Sequence, residues 1–268
     1  IKTCALRGVK VFITLNILYK ENEIQKVLDF VEKVYSYGAY GLIVQDLGMV
    51  SLIKKYYPNI RISASTQMTV HNSEAIDMLT EMGCSRIVLA RELGQKEITD
   101  ICSKKGNTEI EGFIHGALCV CYSGRCLMSS IIGQRSGNRG RCAQPCRMEY
   151  SLLKDDKTLK SGYLLSPKDI STAEILDKVL ATGVDSLKIE GRMKSPEYVY
   201  QVVSTYRKYV DEVMENGTLT IDKEDISNLT QIFNRGGSSS HGYYDTYSSL
   251  NMLSKSPKSS GVEIGVVT

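Results

Sequence analysis

The sequence predicts an α/β protein: a (β/α) TIM-barrel-like domain, incomplete at its N-terminus, with a cysteine-rich insertion and a β-hairpin. Three observations predict it. Short apolar runs rich in β-branched residues recur about every twenty to thirty residues, as strands of a parallel sheet do. Between them lie patterns with apolar residues three and four apart, the period of a helix with one buried face. No G-x-G-x-x-G follows any strand, so a dinucleotide fold has no motif behind it, and the regular spacing favours a barrel.

The elements follow in order. Val11–Asn16 is the first strand, and Ile24, Val27, Leu28, Val31 and Val34 mark the helix after it, closed by Gly38. Gly41–Asp46 is the second strand, followed by a helix from Met49 to Tyr56 that Pro58 stops. Arg61–Thr66 is the third strand. The next helix enters at His71–Glu74 and buries Ala75, Ile76, Leu79 and Met82. Arg86–Arg91, a helix over 95–104 and Glu109–Gly116 complete the first half. Only about six barrel strands are predicted, short of the usual eight, and with Ile at residue 1 the chain reads as a fragment. Residues 117–147 form the cysteine-rich insertion. Residues 148–166 alternate around an Asp-Asp-Lys turn and predict a hairpin. A helix over Ile170–Ala181, a strand over Ser186–Gly191, a long helix opened by Pro196 and a helix over Asp222–Ile232 follow. The barrel-like domain is thus expected to span 1–232. Residues 233–268, rich in Gly, Ser and Tyr, are expected to be a linker and the start of a truncated β domain, with Gly261–Thr268 as its first strand.

Composition narrows the class. At 268 residues the chain can bury a substantial core, and its 42% hydrophobic content suits a globular protein. No apolar run is long enough to cross a bilayer, so no membrane partner is expected. Eight cysteines among βα units suit cytosolic thiols better than a secreted disulfide scaffold, and a cytoplasmic location is expected. The net charge of +3 adds only slight support for a nucleic-acid partner.

Function in such folds sits at the carboxyl ends of strands. There lie Asn16, Gln67 and His115, together with Lys188, Glu190 and Arg192. Lys188 and Glu190 alternate with Ile189, so one face of an otherwise apolar strand carries both charges. Such charges pair or bind something. A structural Lys–Glu pair fits the pattern as well as a substrate site does.

The stronger signal lies between Glu111 and Cys146. Cys119, Cys126, Cys142 and Cys146 follow a C-x6-C-x15-C-x3-C spacing. Thiolates are soft ligands that suit Zn²⁺ or an iron–sulfur cluster. Paired C-x-x-C knuckles are absent, and the wide, unequal spacing suits a 4Fe–4S cluster better than Zn²⁺. Two disulfides or uncoordinated thiols are the remaining alternatives. Arg125, Arg135, Arg139, Arg141 and Arg147 can offset cluster charge or bind an anionic substrate. His115 and Cys119 lie four apart, as a nucleophile and base can, but nothing else completes such a pair, and a His bonded to backbone is the plainer reading.

Three blocks carry a resemblance. EGFIHGALCVCYSGRCLMS (Glu111–Ser129), NRGRCAQPCR (Asn138–Arg147) and KIEGRMKSPEYV (Lys188–Val199) resemble signature stretches of the U32 "peptidase" family, and STQMTVHN and RIVLARE resemble its barrel strands. The resemblance implies a TIM-barrel-like catalytic domain followed by a small β domain. It implies one of two activities: collagenase-like proteolysis of a peptide substrate, or oxygen-independent hydroxylation of tRNA, rRNA or the ubiquinone ring by a 4Fe–4S enzyme. It carries cluster ligation onto Cys119, Cys126, Cys142 and Cys146. The reading favoured here is an iron–sulfur RNA hydroxylase using RNA and a small-molecule hydroxyl donor. In it Lys188, Glu190, Arg192 and His115 serve the chemistry, and Arg125, Arg139, Gln67 and Asn16 bind substrate. A peptidase and a zinc-stapled binding scaffold are the alternatives.

Overall fold

A computed structural model describes residues 1–240 and 256–259. The chain forms two compact units: residues 1–90, 100–111 and 121–143 make the first, and residues 91–99, 112–120 and 144–268 the second.

The first unit holds α1 (Lys2–Ala5), β1 (Phe12–Leu15), α2 (Ile24–Ser36), β2 (Gly41–Val44), α3 (Leu47–Tyr56), β3 (Arg61–Ala64), α4 (Ser73–Glu81) and β4 (Arg86–Val88). Helix α5 (Gln95–Cys102) and strand β5 (Glu109–Gly116) belong partly to each unit, and α6 (Met128–Gly133) lies in the insertion. The strands pair in sequence order, all parallel, with Leu15 opposite Val44 and Val44 opposite Ala64. This is the α/β order of a TIM-barrel-like sheet. Leu42, Val44, Ile62, Ala64, Ile87, Val88 and Ile110 are each at most 1% exposed, so both faces of these strands are buried, as parallel sheets require. Val31 and Val34 of α2, Val50 and Ile53 of α3, and Ile76 and Leu79 of α4 supply the apolar helix faces. β2 and β3 end two residues short of their expected runs because the chain there turns into the next helical segment. Asp46 caps α3 by accepting from Met49 N, and Ser65 accepts from Gln67 N. At the amino edge Arg61 and Arg86 both bind Glu109, and Arg86 also reaches Glu111.

The second unit holds the hairpin β6 (Tyr150–Lys154) and β7 (Lys157–Gly162), then β8 (Asp169–Ser171), α7 (Leu176–Ala181), β9 (Ser186–Ile189), α8 (Pro196–Asn216), α9 (Lys223–Ile232) and β10 (Ser238–Ser239). Its core gathers Ile114, Leu176, Val179, Tyr198, Val202, Tyr206, Tyr209 and Leu229. Two expectations need correction here. Residues 169–171 form a strand rather than the start of a helix, and it runs antiparallel to β5, with His115 opposite Ser171. Tertiary bonds override helix propensity: Thr172 N donates to Ile114 O and to the Tyr206 hydroxyl, and Thr172 Oγ1 also donates to Ile114 O. The expected linker from Phe233 begins instead as part of the packed unit. Asn234 and Arg235 are buried, and β10 pairs with β8. The strand expected over Gly261–Thr268 lies outside the described residues.

Among the described residues no helix is long and apolar enough to cross a membrane.

Candidate functional site

Each compact unit carries two of the four signature thiols, and all eight cysteines are thiols rather than disulfides. In the second unit Arg147 organises its pair. It follows Cys146 directly, and its guanidinium donates to Leu118 O, beside Cys119, at 3.0 Å. It also donates to Ser166 Oγ at 2.7 Å and to Pro167 O. Burial, then the neighbouring Arg235, lower the Arg147 pKa, while Cys146, Asp169 and Cys119 act in the opposite sense. Both thiols therefore lie within electrostatic reach of one fixed cation. In the first unit Ser129, three residues after Cys126, accepts from Ala143 N, the residue after Cys142, at 2.9 Å. That bond ties the Cys142 segment to the helix that follows Cys126.

The Cys126 turn is seated on Gln67. Gly124 has φ +74°, and a Cβ there would lie 2.0 Å from Gln67 O. Only glycine allows this approach. Arg125 Nε donates to Thr69 Oγ1, which donates to Ser123 O, so residues 67–69 and 123–126 form one cluster. The exposed Tyr122 ring lies 6.0 Å from the His71 ring. Asn16 immediately follows β1 at the carboxyl edge. Arg139 is differently engaged: its guanidinium holds both Glu23 carboxylate oxygens, and this pair holds the Glu23 carboxyl down near 2. Its fork is filled by a carboxylate of this chain.

In the second unit β9 ends at Ile189, and Glu190 lies past it rather than beside Lys188 on the strand. Glu190 N donates to His115 O at 2.8 Å, and the Glu190 carboxylate accepts from Arg192 N at 2.9 Å. Gly116, at φ +111°, permits this closeness, because a Cβ there would lie 2.6 Å from Glu190 O. The Lys188 ammonium sits 5.5 Å from the centre of the Phe113 ring. His115 is buried against Tyr198 and Tyr206, and its Nδ1 lies 3.3 Å from the Tyr206 hydroxyl.

Burial, then the Lys194 ammonium, pull the His115 pKa from 6.5 down to about 4. The folded value lies below the unfolded one, so the unfolded chain takes up the proton first. The contribution of neutral His115 is fully present above the unfolded value and is lost as pH falls from 6.5 toward 4. Urea unfolding at pH 7 and at pH 4.5 is expected to show a loss of about 2–3 kcal/mol from this group. The loss should be correspondingly smaller in His115→Asn. Equal losses in the two proteins would remove His115 as its source.

Sequence reasoning missed Lys194. It lies over the Phe233 ring and 5.1 Å from the Tyr198 ring centre. Burial lowers its pKa to about 8, and Asp169, Arg235, Glu190 and Arg147 are its charged neighbours. The turn before it bonds Lys194 N to Gly191 O and places exposed Met193 at φ +64°. A non-glycine residue held left-handed is strained, as turns at functional sites are. The signal was present in the sequence: Lys194 stands just before the Ser195 cap and Pro196 of α8.

No three of the His, Cys, Asp and Glu side chains among the described residues stand close enough to hold a metal ion. The fit to a cluster therefore rests on donor chemistry: four soft thiols, two in each unit, each pair tied by its own hydrogen bonds beside basic residues.

Parallel βα units carrying a four-thiol insertion define a class of thiol-rich barrel-type proteins. The profile of peptidase family U32 matches residues 1–253, and the chain belongs to that family. It is 37% identical over 237 residues to the Bacillus subtilis tRNA hydroxylation protein P1, an alignment covering 85% of this chain and 56% of the relative. It is 41% identical over 211 residues to the Escherichia coli 23S rRNA 5-hydroxycytidine C2501 synthase, covering 78% of this chain and 32% of the relative. A Porphyromonas gingivalis collagenase is 33% identical over 251 residues, covering 87% of this chain and 59% of that protein. The chain thus spans about half or less of the first two relatives.

Proposed function

We propose that this chain is the catalytic part of a cytoplasmic, oxygen-independent RNA hydroxylase that holds a 4Fe–4S cluster on Cys119, Cys126, Cys142 and Cys146. The observation that carries the reading is the set of four thiols, each pair fixed by a dedicated bond, from Arg147 to Leu118 O and from Ala143 N to Ser129 Oγ. The relatives named for tRNA and rRNA hydroxylation support RNA as the substrate. When bound, such a cluster supplies electron transfer or a Lewis-acid site for an oxygen donor. Arg125 holds RNA phosphate, and Lys194 and Arg192 bind the small-molecule hydroxyl donor. Lys194, with its pKa near 8, can hold or release a proton close to neutral pH. Lys188 and Glu190 position the backbone around His115. The catalytic domain extends past residue 232 through Arg235.

The test is chemical. RNA from cells lacking the gene should miss a hydroxylated base that the wild-type gene restores and Cys126→Ser does not. An unchanged set of modified bases, with peptide cleavage by the purified protein, would replace this reading with the peptidase one suggested by the collagenase relative.

A further inference from the structure

Two buried amide oxygens at the carboxyl edge of the first unit have no hydrogen-bond partner among the described residues: Gln45 Oε1 and Gln67 Oε1. Gln45 is 6% exposed. A buried polar atom left unsatisfied costs about 1–3 kcal/mol, so native proteins seldom retain one without a use. Here two occur on neighbouring strand ends. Gln45 directly follows β2. Val44 pairs with Ala64 of β3, and Ser65 N donates to Val44 O at 2.8 Å. Ser65 Oγ then accepts from Gln67 N, which fixes the turn that carries Gln67. On the other side Leu15 pairs with Val44, so Asn16 is the neighbour of Gln45 in the same row. Asn16 and Gln45 thus stand on adjacent strand ends and Gln67 in the turn after the next strand, and Gly124, two residues before Cys126, closely approaches the Gln67 backbone.

We infer that Gln45 and Gln67, flanked by Asn16, form a nucleobase-recognition subsite. Their carbonyl oxygens accept from the N–H groups on the Watson–Crick edge of a base taken out of its stack, such as uracil N3–H or the cytosine amino group. Amides suit the task because one planar group offers both a donor and an acceptor to a base edge. Enzymes that act on a base read the extruded base by hydrogen bonds to this edge. The close approach of Gly124 to the Gln67 backbone places the turn that leads to Cys126 beside this subsite. The inference rests on the RNA reading above and adds to it which residues recognise the base.

The experiment measures binding of the wild-type chain to three labelled oligoribonucleotides of equal length: oligouridine, oligocytidine and an abasic ribose-phosphate. The wild type is expected to bind a base-bearing strand at least about tenfold tighter than the abasic one. Gln45→Met and Gln67→Met should each reduce that preference about tenfold while leaving abasic binding within about twofold. Because Gln45→Met removes an unsatisfied buried acceptor, its melting temperature without RNA should rise by about 2–4 °C. A fall in melting temperature would make Gln45 a structural residue and overturn the inference. So would variants that discriminate between base and abasic strands as well as the wild type does. A wild type that binds none of the strands would overturn the RNA reading itself, and the subsite with it.

Discussion

Arg235→Met is expected to destabilise the second unit by about 3–5 kcal/mol, read as a lower urea midpoint with unchanged slope. Arg235 forms an ion pair with Asp169, and the two side chains are only 10% and 7% exposed. Removing one partner leaves the other charge buried, which costs far more than an exposed pair is worth. Arg235 Nε also donates to Pro257 O at 3.2 Å. Its neighbour Asn234 accepts from Gly236 N and Gly237 N, and donates through Nδ2 to Thr230 O. The pair therefore fastens residues 234–239 and 256–259 to the unit. Replacing both partners, in Asp169→Leu with Arg235→Met, should restore much of the loss, because two apolar groups leave no orphaned charge. A single variant that loses less than about 1 kcal/mol would show that the clasp contributes little.

Cys126→Ser is expected to abolish the proposed base hydroxylation outright. Serine has almost the same shape, but its oxygen is a hard donor and does not replace a soft thiolate on iron. The substitution spares the Gly124–Gln67 contact and the bond from Ala143 N to Ser129, so the fold should persist. Cys121→Ser is the matched control. Cys121 lies two residues from Cys119 and outside the signature spacing, and hydroxylation should survive its loss. The two variants are compared by mass spectrometry of RNA from complemented cells. Full hydroxylation with Cys126→Ser would remove that thiol from the chemistry.

Much of the fold was legible because the first unit obeys local rules. Its central strands are apolar runs with little exposure, and its helices carry one apolar face, with α3 and α4 starting at Asp46 and Asn72. The second unit was less legible because its key contacts are distant in sequence. Ile170 reads as helical until Thr172 meets Ile114 and Tyr206, 58 and 34 residues away. Arg235 reads as linker until it meets Asp169, 66 residues away. The thiol signature and its arginines were visible as a pattern, but their division of labour was not. Nothing local distinguishes Arg139, which grips Glu23, from Arg147, which grips the Cys119 loop. Lys188 and Glu190 read as alternating residues of one strand because the strand was expected to run to Gly191; it ends at Ile189. Gln45 was visible only as one of many polar residues at carboxyl strand ends, and nothing set it apart until its oxygen was found buried and unsatisfied.

The measurement that bears most directly on the central claim is the iron, sulfide and zinc content of the protein purified without oxygen, together with its visible spectrum. About four iron and four sulfide per chain, with broad brown absorption that disappears in Cys126→Ser, is the predicted result. About one zinc per chain and no iron, in protein that never met oxygen, would contradict it and make the four thiols a structural staple.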